Sequence, residues 1–100
     1  MTFLEKQRIA RTNDMSKEAV CARFRAAVAA AGYKRQKDYA EALGTRGVSS
    51  ISNVYNEMHY PSREMISLLY LQHRIDFNFI LAGQFNQLPA DVQELIFENL

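Results

Sequence analysis

The chain has 100 residues, of which 48% are apolar and 23% charged, and its net charge is +1 at neutral pH. That length suits one domain with a core of roughly four to six helices, and no run approaches the ~20 consecutive apolar residues of a membrane span. A single cysteine, Cys21, leaves no internal disulfide to form and fits a reducing cytoplasm, and the opening Met-Thr-Phe-Leu-Glu-Lys lacks the apolar core of a secretory leader.

Residues 1–15 carry Lys6, Arg8 and Arg11 among few apolar side chains, and Thr12-Asn13-Asp14 breaks the chain before the next element. Two readings stay open here. One is a basic arm that orders on DNA, as homeodomain arms do; the other is a short helix that packs Phe3, Leu4 and Ile9 on the core or on a partner. From Ser16 the pattern sharpens, because Ser16 can cap a helix, Glu18 suits its positive start, and Val20, Phe24, Ala27, Val28 and Ala31 recur on one face. Gly32 ends that helix. Cys21 borders the apolar face with no His or second Cys beside it, which reads as packing.

Lys34-Arg35-Gln36-Lys37 opens the next helix with three positive charges, which can hold phosphates together with the backbone N–H groups of a helix start or can simply be solvated. Over Gln36 to Tyr60 the sequence predicts two short helices around a tight turn. Tyr39, Ala40 and Leu43 make the apolar face of the first, and Gly44 stops it, since glycine takes the left-handed conformation without a Cβ clash. After Thr45-Arg46-Gly47, the residues Val48, Ile51, Val54 and Tyr55 repeat at helical spacing, with Gly47 or Ser49 as the cap. The opposite face holds Ser49, Ser52, Asn53 and Asn56, short polar side chains without Lys or Glu until Glu57. Such a face lets a helix lie deep in the major groove, where Ser can donate to or accept from a base edge and Asn can pair bidentately with adenine. An αα-hairpin with a polar outer face has the same pattern.

Met58-His59-Tyr60-Pro61 ends this helix, and Ser62 caps a following one that turns Met65, Ile66, Leu69 and Tyr70 toward the core. Asp76 begins another, with Phe77, Ile80 and Leu81 inward and a stop at Gly83. After the connector Gln84 to Leu88, Pro89 opens a last helix whose Val92, Leu95, Ile96 and Leu100 form an apolar stripe beside Phe97. That stripe needs a surface to cover it, either the chain's own core or a second copy. No alternating strand pattern occurs anywhere, so the expected fold is all-α.

Charge is unevenly spread. Residues 1–46 hold ten Lys/Arg against five Asp/Glu, a balance of +5, whereas residues 47–100 hold two against six, a balance of −4. A nucleic-acid footprint needs a local basic surface of this kind more than a basic total.

The run Gln36, Ala40, Gly44, Ile51-Ser52-Asn53-Val54, followed by Pro61 and by Asp76-Phe77 with Ile80-Leu81-Ala82-Gly83, is similar to the helix-turn-helix domain of bacteriophage CI-type repressors. The resemblance covers roughly Val20 to Gly83, with Phe77 where the family's closing segment has Trp. One departure is that Ile51 stands seven residues after Gly44 where the family has six, which implies a turn longer by one residue. The resemblance implies a compact lambda-repressor-like domain of five to six helices, with residues 1–15 as arm or short helix, 16–83 as the DNA-binding unit and 84–100 as connector and C-terminal helix. It further implies a cytoplasmic transcriptional repressor that occupies a double-stranded operator as a homodimer, with no membrane or small-molecule cofactor.

In that reading Ser49, Ser52 and Asn53 face bases, Asn56 lies at the edge, and Arg46 meets the backbone or a guanine. Lys34, Arg35, Gln36 and Lys37 hold phosphates, and Val92, Leu95, Ile96 and Leu100 pair two copies. A different class, a helical protein-interaction adaptor of antitoxin or antirepressor type, would share the scaffold and lack salt-dependent DNA binding. The sequence offers no catalytic constellation. His59 and His73 are fourteen apart on separate predicted elements, and there is no phosphate-binding glycine loop or nucleophile elbow.

Overall fold

Helix α2 (Lys17–Ala30) is the axis of the fold, because its sequence KEAVCARFRAAVAA is small or apolar almost all round. Ala19, Ala26 and Ala27 let neighbours approach closely, while Val20, Phe24 and Val28 fill the space between them, and all six are buried. The computed structural model describes residues 1–100, and it contains no strand. Six further helices complete it: α1 (Phe3–Ala10), α3 (Gln36–Leu43), α4 (Ser49–Tyr55), α5 (Arg63–His73), α6 (Phe77–Ala82) and α7 (Ala90–Asn99). Helices α4, α5, α6 and α7 all pack on α2, and α3 lies against α4 and α5. None is long and apolar enough to cross a membrane.

Local chemistry sets the ends of these helices. Ser16, Ser62 and Asp76 each accept the N–H of the third residue along, from Ala19, Met65 and Phe79. At the other ends the chain turns through a left-handed residue, at Gly32, Gly44 and Gly83 but also at Arg11, Glu57 and Arg74. The first and last helices differ from expectation in instructive ways. Residues 3–10 are helical, with Thr2 accepting the N–H of Glu5, so the N-terminal segment is a short helix and not an extended arm. Its anchor is the buried Ala10, while Phe3, Leu4 and Ile9 stay largely exposed.

The connector and α7 close the same core. Phe85 and Leu88 are buried, Phe85 meets Phe97 edge to face at 5.3 Å, and Val92 and Ile96 are 5% and 0% exposed against the core cluster. Val92 and Ile96 are therefore not available to pair two copies. Of the stripe that looked unpartnered in sequence, Val92 and Ile96 are covered within the same chain, where α7 packs on α2, while Leu95 and Leu100 stay exposed at 45% and 36%. Tyr70, expected inward, is about half exposed and leans on Phe77 at 6.1 Å.

At the centre of the packing is a charge. Arg23 is 1% exposed, and its five N–H groups all donate to backbone carbonyls. Nε reaches Ile80 at 2.9 Å; one terminal nitrogen reaches Ala10 at 3.0 Å and Arg11 at 3.1 Å; the other reaches Asp14 at 2.6 Å and Leu81 at 3.1 Å. These acceptors belong to the C-terminal ends of α1 and α6 and to the linker after α1, where unpaired carbonyls carry the negative end of each helix dipole. Burial pulls the guanidinium below its usual value and the nearby Asp14 carboxylate pulls the other way. Gly83 sits in the same joint. A Cβ there would lie 2.8 Å from the Ala10 carbonyl oxygen, and its own carbonyl accepts from the Thr12 hydroxyl at 3.0 Å.

Replacing Arg23 with Met should cost at least about 3 kcal/mol, since it strands several buried carbonyls without donors. Urea denaturation measures this directly, and a loss under about 1 kcal/mol would mean the carbonyls are rehydrated at little cost.

Candidate nucleic-acid interface

Helices α3 and α4 are placed from beneath by aromatic rings. Phe24 of α2 packs edge-on to Tyr39 of α3 at 5.7 Å and to Tyr55 of α4 at 6.2 Å, and Tyr33 meets Tyr39 at 4.9 Å. The buried Tyr39 hydroxyl donates to the Met65 carbonyl of α5, and burial pushes this phenol well above its ordinary range, so it remains a donor at any physiological pH. Ala40 is buried where α3 meets α4, and Ile51 and Val54 pin α4 down. Phe24 thus touches both helices from the core side.

Between them the chain runs through Gly44, Thr45, Arg46, Gly47 and Val48, a five-residue connection. Thr45 organises it: its hydroxyl lies 3.1 Å from the Ala40 carbonyl and 3.0 Å from that of Gly47. The first residue outside α4 is Val48, and no side chain caps the helix, so neither Gly47 nor Ser49 takes the role the sequence suggested. Val48 is 38% exposed instead of buried, because it stands outside the helix and off its apolar stripe.

On the outer face of α4, Ser49 is exposed, Ser52 and Asn53 are half-buried, and Asn56 is exposed just past the last helical turn. Asn56 donates its amide to the Ser52 hydroxyl at 3.4 Å, which ties two of the four together. Ser50, which the periodicity did not single out, is exposed beside Ser49. Arg46 is exposed on the connection.

Among the cations of α3, Arg35 departs from expectation. Its guanidinium donates to both carboxylate oxygens of Asp38, at 2.8 and 3.3 Å, while its backbone N–H donates to the same carboxylate at 3.2 Å. Hydrogen bonding from Arg35 holds the Asp38 carboxyl below its usual range. Asp38 thereby closes the helix start and neutralises Arg35 in part. Lys34, Lys37 and Arg46 make no ion pair within the chain, since its three pairs are Arg25–Glu57, Arg35–Asp38 and Arg74–Asp91. Gln36 is half-buried at the first helical position. Of the ten cations in the basic half, Arg23 is removed from the surface altogether.

Arg25 does work that sequence reading assigned to no residue. It donates to the Tyr55 carbonyl at the end of α4 at 2.9 Å and pairs with Glu57 at 3.6 Å, linking α2 to the exit of α4. Glu57 takes a left-handed conformation, φ 62°, so that its N–H reaches Val54 and that of Met58 reaches Asn53. A glycine at this place would have announced the stop; a glutamate does not.

Comparison of the chain with protein-family models, curated proteins and solved structures finds no match.

Because a left-handed L-residue costs about 1–2 kcal/mol, Glu57→Gly should be more stable than Glu57→Ala by about 1 kcal/mol. Thermal unfolding of the two variants decides it, and the ordinary helix ranking, with alanine ahead, would contradict this account of the α4 exit.

Proposed function

We propose that the chain is a sequence-specific DNA-binding regulator of the phage-repressor type, which acts as a dimer by occupying an operator. The observation that carries this reading is the outer face of α4. Four short polar side chains, Ser49, Ser52, Asn53 and Asn56, stand over buried Ile51 and Val54, with no Lys, Arg, Asp or Glu among them. Unpaired Lys34, Lys37 and Arg46 lie on the helix start and connection beside it. Cations that are not satisfied within the protein are free to replace counterions on phosphates, and a face of hydroxyls and amides can enter a groove without a desolvated charge.

In this reading the duplex is positioned by Lys34, Lys37 and Gln36, with Arg35 contributing through whatever donor capacity Asp38 leaves. Discrimination comes from Ser49, Ser52 and Asn53. Asn56 contributes by holding Ser52, and Arg46 reaches the backbone or a guanine from the connection.

Selection of bound sites from a random duplex pool tests the whole proposal, and an absence of salt-dependent enrichment would return the chain to the adaptor class. On a selected site, Asn53→Ala should cost about 1–3 kcal/mol at one base pair while leaving others unchanged. Lys37→Ala should weaken all sequences alike and reduce the slope of log affinity against log salt by about 0.9. Loss of discrimination in the lysine variant would reverse the assigned docking.

A further inference from the structure

Helix α4 has little of its own to hold it in place. It is seven residues long and no side chain caps its start, and a helix of about two turns is not stable in isolation. Buried Ile51 and Val54 press it onto the core, but apolar packing is non-directional and leaves rotation and axial position to other contacts. Those contacts gather at the exit. Phe24 and Arg25, neighbours on α2, grip the same residue: Phe24 meets the Tyr55 ring edge to face at 6.2 Å, and Arg25 Nη1 donates to the Tyr55 carbonyl at 2.9 Å. The same nitrogen lies 3.6 Å from the Glu57 carboxylate. Further along, the Cys21 thiol donates to the His59 carbonyl at 3.3 Å and the Tyr60 hydroxyl to the Met15 carbonyl at 3.1 Å.

The exit is tied in turn to the polar face. Asn56 stands between the two residues that Arg25 holds, and its side-chain amide donates to the Ser52 hydroxyl at 3.4 Å. The backbone N–H groups of Asn56 and Met58 reach the carbonyls of Ser52 and Asn53 at 2.9 and 2.8 Å. Three of the four polar residues of that face are therefore bonded into the segment that Arg25 anchors. Arg25 itself is half-buried, with its charge answered by Glu57 and by a carbonyl. Lys34, Lys37 and Arg46, by contrast, have no ion-pair partner within the chain.

We propose that Arg25 is a positioning residue for base recognition: from α2 it fixes the end of α4, and with it the angle at which Ser52, Asn53 and Asn56 meet a groove, without touching the duplex. This role rests on the operator reading. A bidentate amide contact needs its side chain held within about 0.5 Å of the productive place, and a helix of two turns pivots at whichever end is loose. Without Arg25 the loose end is the one that carries Asn56. The role also differs in kind from that of the phosphate-holding cations. A phosphate contact strengthens binding to every sequence alike, whereas a residue that acts through base-facing side chains changes only the discrimination between sequences.

Two measurements on the full chain test this, with circular dichroism to show that each variant is folded. Without DNA, hydrogen exchange at the Asn56, Glu57 and Met58 amides should quicken about tenfold in Arg25→Met, because the exit loses its tie to α2. With DNA, the ratio of affinities for a selected site and an unrelated duplex should fall about tenfold in the same variant. Its affinity for the unrelated duplex, and the slope of log affinity against log salt, should match those of the intact chain. Arg25→Lys, whose ammonium can still donate to the Tyr55 carbonyl, should recover most of the discrimination. Simple loss of stability lowers both affinities by one factor and leaves their ratio alone. A folded Arg25→Met with an unchanged ratio overturns the proposal, as does unchanged exchange at the three amides. A slope lower by about 0.9, with both duplexes weakened equally, makes Arg25 a phosphate contact and overturns it too. An intact chain that binds no duplex is the failure of the operator reading and takes this role with it; an intact chain that selects a site no better than Arg25→Met does sinks this role alone. Should Arg25→Met fail to fold, Arg25→Gln, whose shorter side chain stops before Tyr55, carries the same expectations.

Discussion

The fold depends on a buried cation that no carboxylate touches. A guanidinium has five donors in a fixed plane, and at Arg23 each one finds a carbonyl, so the charge is solvated by peptide dipoles in place of water or a carboxylate. Two helix ends and the linker after α1 had to meet at the same place for this to happen, since carbonyls in the interior of a helix are already paired. The position of Gly83 follows from the same demand, because two chain segments pressed around one side chain leave no volume for a Cβ between them. Neither lysine nor an apolar residue could organise the joint in this way, the first for want of donors and the second for want of any.

What lay open in the sequence was the set of features with a dedicated residue type. Serine and aspartate announced three helix starts at Ser16, Ser62 and Asp76, and glycine announced three stops at Gly32, Gly44 and Gly83. Stops at Arg11, Glu57 and Arg74 were hidden, because these residues reach the left-handed region only under tertiary control and nothing in their chemistry prefers it. Arg23 was hidden for a related reason. One turn of an alanine-rich helix looks alike whether an arginine on it faces solvent or core, and only the arrival of carbonyls from residues 80 and 81, nearly sixty positions away, decides the matter.

The candidate interface was legible to the extent that composition is legible. Its serines and asparagines could be placed on one face by counting, and α4 does present that face outward. Pairing could not be counted. Asp38 is a plain helix-start acid in the sequence, yet it takes up much of the donor capacity of Arg35, and Arg25 reaches across from α2 to hold the far end of α4. The stripe of α7 misled in the opposite sense, because an apolar helix looks the same whether its cover comes from the same chain or another.

The cover that α7 gives to α2 also has a consequence in time. During synthesis α2 leaves the ribosome well before Val92 and Ile96, and at roughly 5–20 residues per second the delay is on the order of several seconds. Throughout that interval the alanine-lined flank of α2 faces solvent or whatever binds nascent chains. The most buried helix of the finished protein thus keeps one side open through most of the synthesis, and a slowed ribosome between residues 30 and 90 would prolong its exposure to aggregation.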